Sequence, residues 1–295
     1  MPKIRYITKK FNSASAKVIE QANSIIEEYS AQGFELTLRQ LYYQFVARAL
    51  IPNTMKEYKR LGSIINLGRL CGLVDWNAIT DRTRRLMSIP HAEVPSDLVQ
   101  ACVWRFNVDR WANQKWRPEV WIEKEALVGV IEGVCSKLDV PYYACKGYNS
   151  QSMQWRASQR FKYYMENGQT PIIFHLGDHD PSGQDMTRDN HDRLKLFMGG
   201  LEVRRLALNM DQVEKYNPPP NPSKITDTRT PKYVAQYGEN SWELDALEPK
   251  VIARLIEKAV NRFRNMSKWN KQERREKKGR AVLSDVVEKL RKGEE

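Results

Sequence analysis

The chain is poor in cysteine and histidine, and it has no long apolar run. Its four cysteines, Cys71, Cys102, Cys135 and Cys145, form no CxxC pair, and no histidine stands at zinc-finger spacing from them. This argues against a zinc ribbon and a disulfide scaffold, and reads as reduced thiols in a cytoplasmic protein. No stretch approaches the roughly 18 consecutive apolar residues of a membrane span, so no membrane association is expected. The opening MPKIRYITKK has no apolar core and does not read as a signal peptide. There is no GxxxxGK loop, so ATP-driven work would need a separate chain. Acid is also in deficit: 36 Asp and Glu stand against 48 Lys and Arg, for a net charge of +12. That surplus draws polyanions, and nucleic acid is the default partner, with a merely solubilising surface as the alternative.

What is present falls into two patterns. The first is helical. Residues 13–31 place Ala14, Val18, Ala22, Ile25 and Tyr29 at helical spacing, with Gly33 as the stop. A second helix starts at Thr37, where Thr37 and Gln40 form a capping box. Thr54 and Glu57 repeat it for a third helix running to about Cys71. That helix carries Lys56, Lys59 and Arg60, and the segment GLVDWNAITDRTRR after it brings Arg82, Arg84 and Arg85. Three short helices and a basic strand or turn make the pattern of a winged helix-turn-helix; a ligand-free helical bundle has the same pattern.

The second pattern alternates strand and helix: strands at 118–123, 141–145, 171–176 and 202–208, and helices at 125–138, 152–166 and about 182–197. Such alternation predicts βαβ units and a parallel-rich sheet, with ligands beyond the carboxyl ends of the strands. The proline-rich 217–233 reads as a loop, 249–263 as a helix, and SKWNKQERREKKGR as a basic helical run. The expected organisation is α/β: 1–112 a winged-helix DNA-binding domain, 113–250 the sheet domain, and 251–295 a helical, basic extension.

Three acids sit at strand ends. Glu123 closes the first strand, and Asp178 and Asp180 follow the third in LGDHDPSG. Three converging carboxylates repel unless a cation joins them, and hard oxygens suit Mg²⁺ or Mn²⁺. A lone DxD is more often a solvated turn, but its strand-end position beside Glu123 favours a metal site.

These residues carry a family likeness. VWIEKEAL, CKGYNSQS and IIFHLGDHDPSGQDM resemble a Toprim domain. With TLRQLYYQF upstream, the chain resembles the A subunit of topoisomerase VI and its relative, the meiotic double-strand-break protein, and most closely the compact "mini-A" type found in mobile elements. The resemblance spans roughly residues 30–250. It implies a winged-helix (CAP-like) domain that carries a nucleophilic tyrosine ahead of a Toprim metal domain.

The choice between the paired tyrosines rests on helix geometry. Leu38, Leu41, Tyr42, Phe45, Val46 and Ala49 form one apolar stripe, so Tyr42 reads as core. Tyr43 lies about 100° further round, on the polar flank, with Arg39 one turn before it on the same face. A guanidinium there stabilises a phenolate or holds a phosphate. Tyr43 is therefore the expected nucleophile and Arg39 its partner; in the family, too, the second tyrosine of the pair is catalytic. The resemblance then implies attack of Tyr43 on a DNA phosphodiester, a 5′-phosphotyrosyl double-strand break, and Mg²⁺ on Glu123, Asp178 and Asp180. It also implies a homodimer whose composite sites pair one chain's tyrosine with the other's metal, and a possible separate ATPase subunit. Lys56, Lys59, Arg60, Arg82, Arg84, Arg85, Lys124 and Lys146 are the expected DNA contacts. A hydrolytic Toprim nuclease and a non-catalytic DNA-binding accessory factor are the competing readings.

Overall fold

Each helix of the amino-terminal third begins where its cap dictates. The computed structural model describes residues 3–79, 89, 91–222 and 227–294. Helix α1 spans Ser13–Ala31, α2 Leu38–Ala47 and α3 Met55–Leu70. Thr37 accepts the Gln40 amide, and the Gln40 side chain accepts the Thr37 amide at 2.8 Å, which closes the expected capping box. At α3, Thr54 accepts the Glu57 amide. The three helices bury one core, including Ile19, Ile25, Leu41, Phe45, Leu61 and Ile65, and Ala246 from far along the chain completes it. Of the segment expected as a basic strand or turn, residues 72–78 are turns and bends and Ile79 makes a single parallel bridge to Leu36; Arg82, Arg84 and Arg85 lie outside the described residues.

The sheet has four parallel strands: β1 (Trp116–Ile122), β2 (Tyr142–Ala144), β3 (Thr170–Leu176) and β4 (Glu202–Ala207), in the order β2-β1-β3-β4. The fold is thus mixed α/β, as expected. Side chains alternate across the sheet. Val120, Ile122, Ile172, Phe174 and Leu176 face a core shared with α5 (Val128–Lys137) and α10 (Pro249–Asn261). Trp121 and Ile173 face Phe161 and Leu194 on α6 (Gln151–Glu166) and α7 (Pro181–Met198). A sheet covered on both faces explains the apolar runs PIIF in β3 and VWI at the end of β1.

Four short elements between β4 and α10 depart from the sequence reading. Helix α8 (Met210–Tyr216) follows β4. The expected 217–233 loop contains β5 (Asn221–Pro222) and the start of α9 (Thr230–Tyr237), and β5 pairs with β6 (Asn240–Ser241). The proline-rich composition predicts a loop, but Pro222 sits on a two-residue edge strand, where a missing donor is tolerated. Helix α4 (Pro95–Arg105) packs along the 29-residue α11 (Met266–Glu294). No helix among the described residues is long and apolar enough to cross a membrane.

Candidate active site

Strands β1 and β3 end side by side, so the residues that leave them meet. The Glu123 amide donates to the Leu176 carbonyl at 2.8 Å. The Asp178 amide then donates to Glu123 Oε2 at 2.9 Å. Gly177 allows this approach: a Cβ there would stand 2.8 Å from Glu123 Oε2. Asp180 is the N-cap of α7, and its Oδ1 accepts the Gly183 amide at 2.6 Å. The buried guanidinium of Arg205 on β4 ties the turn from beneath, donating to the carbonyls of Gly177, Asp178, Gly183 and Leu208.

A second chain segment completes the site. His179 and Trp242 exchange backbone hydrogen bonds at 2.8 and 2.9 Å, an antiparallel bridge that lays residues 240–245 beside the DxD turn. The His179 ring packs edge-on against Tyr233, Tyr237 and Trp242, with Nδ1 2.7 Å from the Tyr233 hydroxyl. It serves the packing of this segment. The bridge delivers Glu243 and Asp245 to Asp178, whose Oδ1 also accepts the Leu244 amide at 2.8 Å.

Asp178, Glu243 and Asp245 thereby offer oxygens within 4.8 Å of one another, and they form a buried acidic group that could hold a metal ion. This differs from the expected set. Among the described residues, Asp178 joins Glu243 and Asp245 in that group, while Glu123 and Asp180 flank it, each with one oxygen bonded to a backbone amide. Hard carboxylate oxygens at this spacing fit a divalent cation. Lys124 competes for the same oxygens: its Nζ lies 2.9 Å from Asp178, 2.6 Å from Glu243 and 2.8 Å from Asp245. An ion bound there would displace the ammonium.

Arg39 on α2 closes the cluster from the other side, with Nε 2.9 Å from Asp245 and a terminal nitrogen on Glu243. Burial alone would raise Glu243, but Lys124 and Arg39 outweigh it and hold the carboxyl at about 2. Burial raises Asp178, against the pull of Lys124. Burial likewise raises Glu123, partly offset by the Asp178 amide and Lys124.

Tyr43 stands on the Arg39 face, with the guanidinium carbon 5.7 Å from its ring centroid. Contrary to the expected polar flank, it is 3% exposed. Helix geometry alone could not show that Asn221, Ser241 and Trp242 line the same space and cover that flank. Burial, reinforced by Glu243, raises the phenol well above its usual range; Arg39, Asn221 and Lys124 oppose the shift without cancelling it. Tyr42 is core, as expected, and its hydroxyl donates to Asn53 Oδ1 at 2.8 Å. Tyr43, Arg39, Asp178, Asp180 and Glu243 line one cavity of about 290 Å³.

The expected DNA contacts fall in different places. Lys56 and Lys59 are exposed on α3, and Arg60 pairs with Glu57. Lys146 is exposed and pairs with Glu125 at 2.8 Å. Lys124 is committed to the acids. Sequence reasoning missed Glu243 and Asp245; the available signal was an acidic i,i+2 pair in WELDALEP, the same spacing as in the DxD turn. No protein-family model matches the chain, and no curated protein sequence matches it either.

Proposed function

We propose that this chain cleaves double-stranded DNA by transesterification, with Tyr43 as nucleophile, in the manner of a topoisomerase VI A-like enzyme built from a winged-helix and a Toprim domain. The observation that carries this reading is the shared cavity: a tyrosine from the amino-terminal helices and carboxylates from the strand ends line the same space. Tyr43 Oη would attack the phosphorus and form a 5′-phosphotyrosyl bond. The bond to the 3′ oxygen would break, and that oxygen would leave as an alkoxide that takes a proton from water to give the 3′-hydroxyl. The phenol is neutral before attack, so its proton would pass to a carboxylate of the cavity, with Arg39 stabilising the developing phenolate. Mg²⁺ or Mn²⁺, held by Asp178 with its neighbouring carboxylates, would supply charge stabilisation at the phosphate. Lys56 and Lys59 would hold backbone phosphates beyond the cavity. Two copies of the chain would cut the two strands; here tyrosine and acids meet within one chain, so each copy would carry a whole site. Any ATPase would be a separate subunit.

A second reading has its own support. The burial of Tyr43 favours a structural tyrosine and hydrolysis, with water attacking in place of the phenol and leaving a free 5′-phosphate. Supercoiled plasmid incubated with Mg²⁺ or Mn²⁺ and stopped with detergent separates the two. Linear DNA that enters a gel only after protease supports transesterification. Linear DNA that enters without protease supports hydrolysis.

A further inference from the structure

Helix α11 carries a cationic face that the candidate site does not use. At about 100° per residue, Lys268, Lys271, Arg274, Arg275 and Lys278 fall within roughly a third of the helix circumference. All five are exposed, and none makes an ion pair with a described residue. Both acids of this stretch point elsewhere: Glu276 is buried against Arg110, with oxygen and nitrogen 3.1 Å apart, and Glu273 faces the same arginine. Like charges three and four residues apart destabilise a helix, so this face costs stability unless an anion meets it.

The face is also remote from the acids. Asn265, just before α11, exchanges hydrogen bonds with Gln114, and Trp269 packs on Trp111 at 5.9 Å between ring centroids. Gln169 donates to the carbonyls of Trp111 and Gln114. Gln114 and Gln169 lie just before β1 and β3, so α11 starts at the amino ends of the strands whose carboxyl ends carry the candidate site. Seven-residue strands set the two about 23 Å apart.

We infer that this face of α11 is a second nucleic-acid surface, which grips the phosphate backbone of a duplex segment away from the candidate cleavage site. From Lys268 to Lys278 the helix rises about 15 Å, and duplex DNA of that length presents about nine phosphate charges. An anionic membrane is the lesser fit. A helix lying in a bilayer interface needs an apolar stripe beside its cations; between Lys268 and Lys278 the one large apolar side chain, Trp269, is buried, and the exposed Val282 and Val286 lie about one to two turns beyond the last cation of the face. The inference does not depend on Tyr43 chemistry.

The test uses full-length Tyr43→Phe protein in EDTA, so that cleavage plays no part, with a labelled duplex of 40 base pairs titrated across salt. The Lys271→Gln, Arg274→Gln, Lys278→Gln variant should reduce the slope of log K against log salt by about 2.7, the share of three phosphate contacts, and bind more than tenfold more weakly at low salt. A control variant, Lys9→Gln, Lys10→Gln, Lys17→Gln, removes equal charge from another exposed surface and should leave the slope near wild type. An unchanged slope in the α11 variant, or an equal fall in the control, overturns the inference. So does a variant that keeps its duplex affinity but loses binding to vesicles of phosphatidylserine and phosphatidylcholine. Circular dichroism confirms that both variants stay folded.

Discussion

The Lys124 ammonium lies 2.9 Å from Asp178 Oδ1, while the preceding residue, Glu123, accepts the Asp178 amide at 2.9 Å. Two neighbours at one strand end thus hold the side chain and the backbone of the same aspartate. Asp178 is fixed before any ligand arrives, and the cation beside it is a removable side chain.

Removing that cation should expose the site's preference for another. Lys124→Met leaves three carboxylates facing Arg39 alone, and breaking a buried pair costs about 3–5 kcal/mol. The variant should melt at lower temperature than wild type in EDTA, recover part of the loss in Mn²⁺, and bind Mn²⁺ more tightly than wild type by calorimetry. A variant whose melting temperature ignores Mn²⁺ would show that the acidic group does not take a divalent ion.

The two glycines of the turn should differ in kind. An added Cβ at Gly177 meets the far end of the Glu123 side chain at 2.8 Å, which can move. At Gly183 it meets the Asp178 carbonyl oxygen at 2.2 Å, which is backbone. Gly183→Ala should therefore destabilise the fold by about 1–3 kcal/mol or more, as overpacking does. Gly177→Ala should stay closer to wild type in urea unfolding while losing most of the proposed DNA cleavage, because Glu123 no longer anchors Asp178. Equal stability losses in the two variants would contradict this account.

Stability should depend on pH through His175. It is fully buried on the sheet face toward α7, 2.8 Å from Thr187 Oγ1, and burial, helped by Arg205, lowers it to about 3. The unfolded chain takes up this proton near its ordinary value of about 6.5, whereas the native state refuses it until about 3. The contribution is therefore complete above the unfolded value and is lost as pH falls toward the folded one, by at most about 1.4 kcal/mol per pH unit. The raised carboxyls of Glu123 and Asp178 act in the opposite sense, so the readout is a difference. Between pH 6 and 4, wild type should lose more unfolding free energy than His175→Gln. Parallel curves would mean that His175 protonates in the folded state.

How far the sequence reveals this site depends on the range of the interaction. Caps are local, so Thr37 with Gln40 and Thr54 with Glu57 mark helix starts that the structure reproduces closely. The strands announce themselves because burial on both faces demands apolar runs, and their parallel order places Glu123 and Asp178 at one edge. The burial of Tyr43 was not legible, because it depends on Asn221, Ser241 and Trp242, which return from far along the chain. Glu243 and Asp245 escaped for the same reason: a two-residue bridge between His179 and Trp242 brings them in, and such a bridge has no periodicity to read.

The most direct measurement is the mass of the tyrosine peptide. Protein incubated with duplex DNA and Mg²⁺, denatured, and digested with nuclease and then protease should yield the peptide containing Tyr43 with a nucleotide phosphate added to that residue. The adduct should be absent in EDTA and in Tyr43→Phe. Cleaved DNA with an unmodified Tyr43 peptide would contradict the account and favour a hydrolytic nuclease.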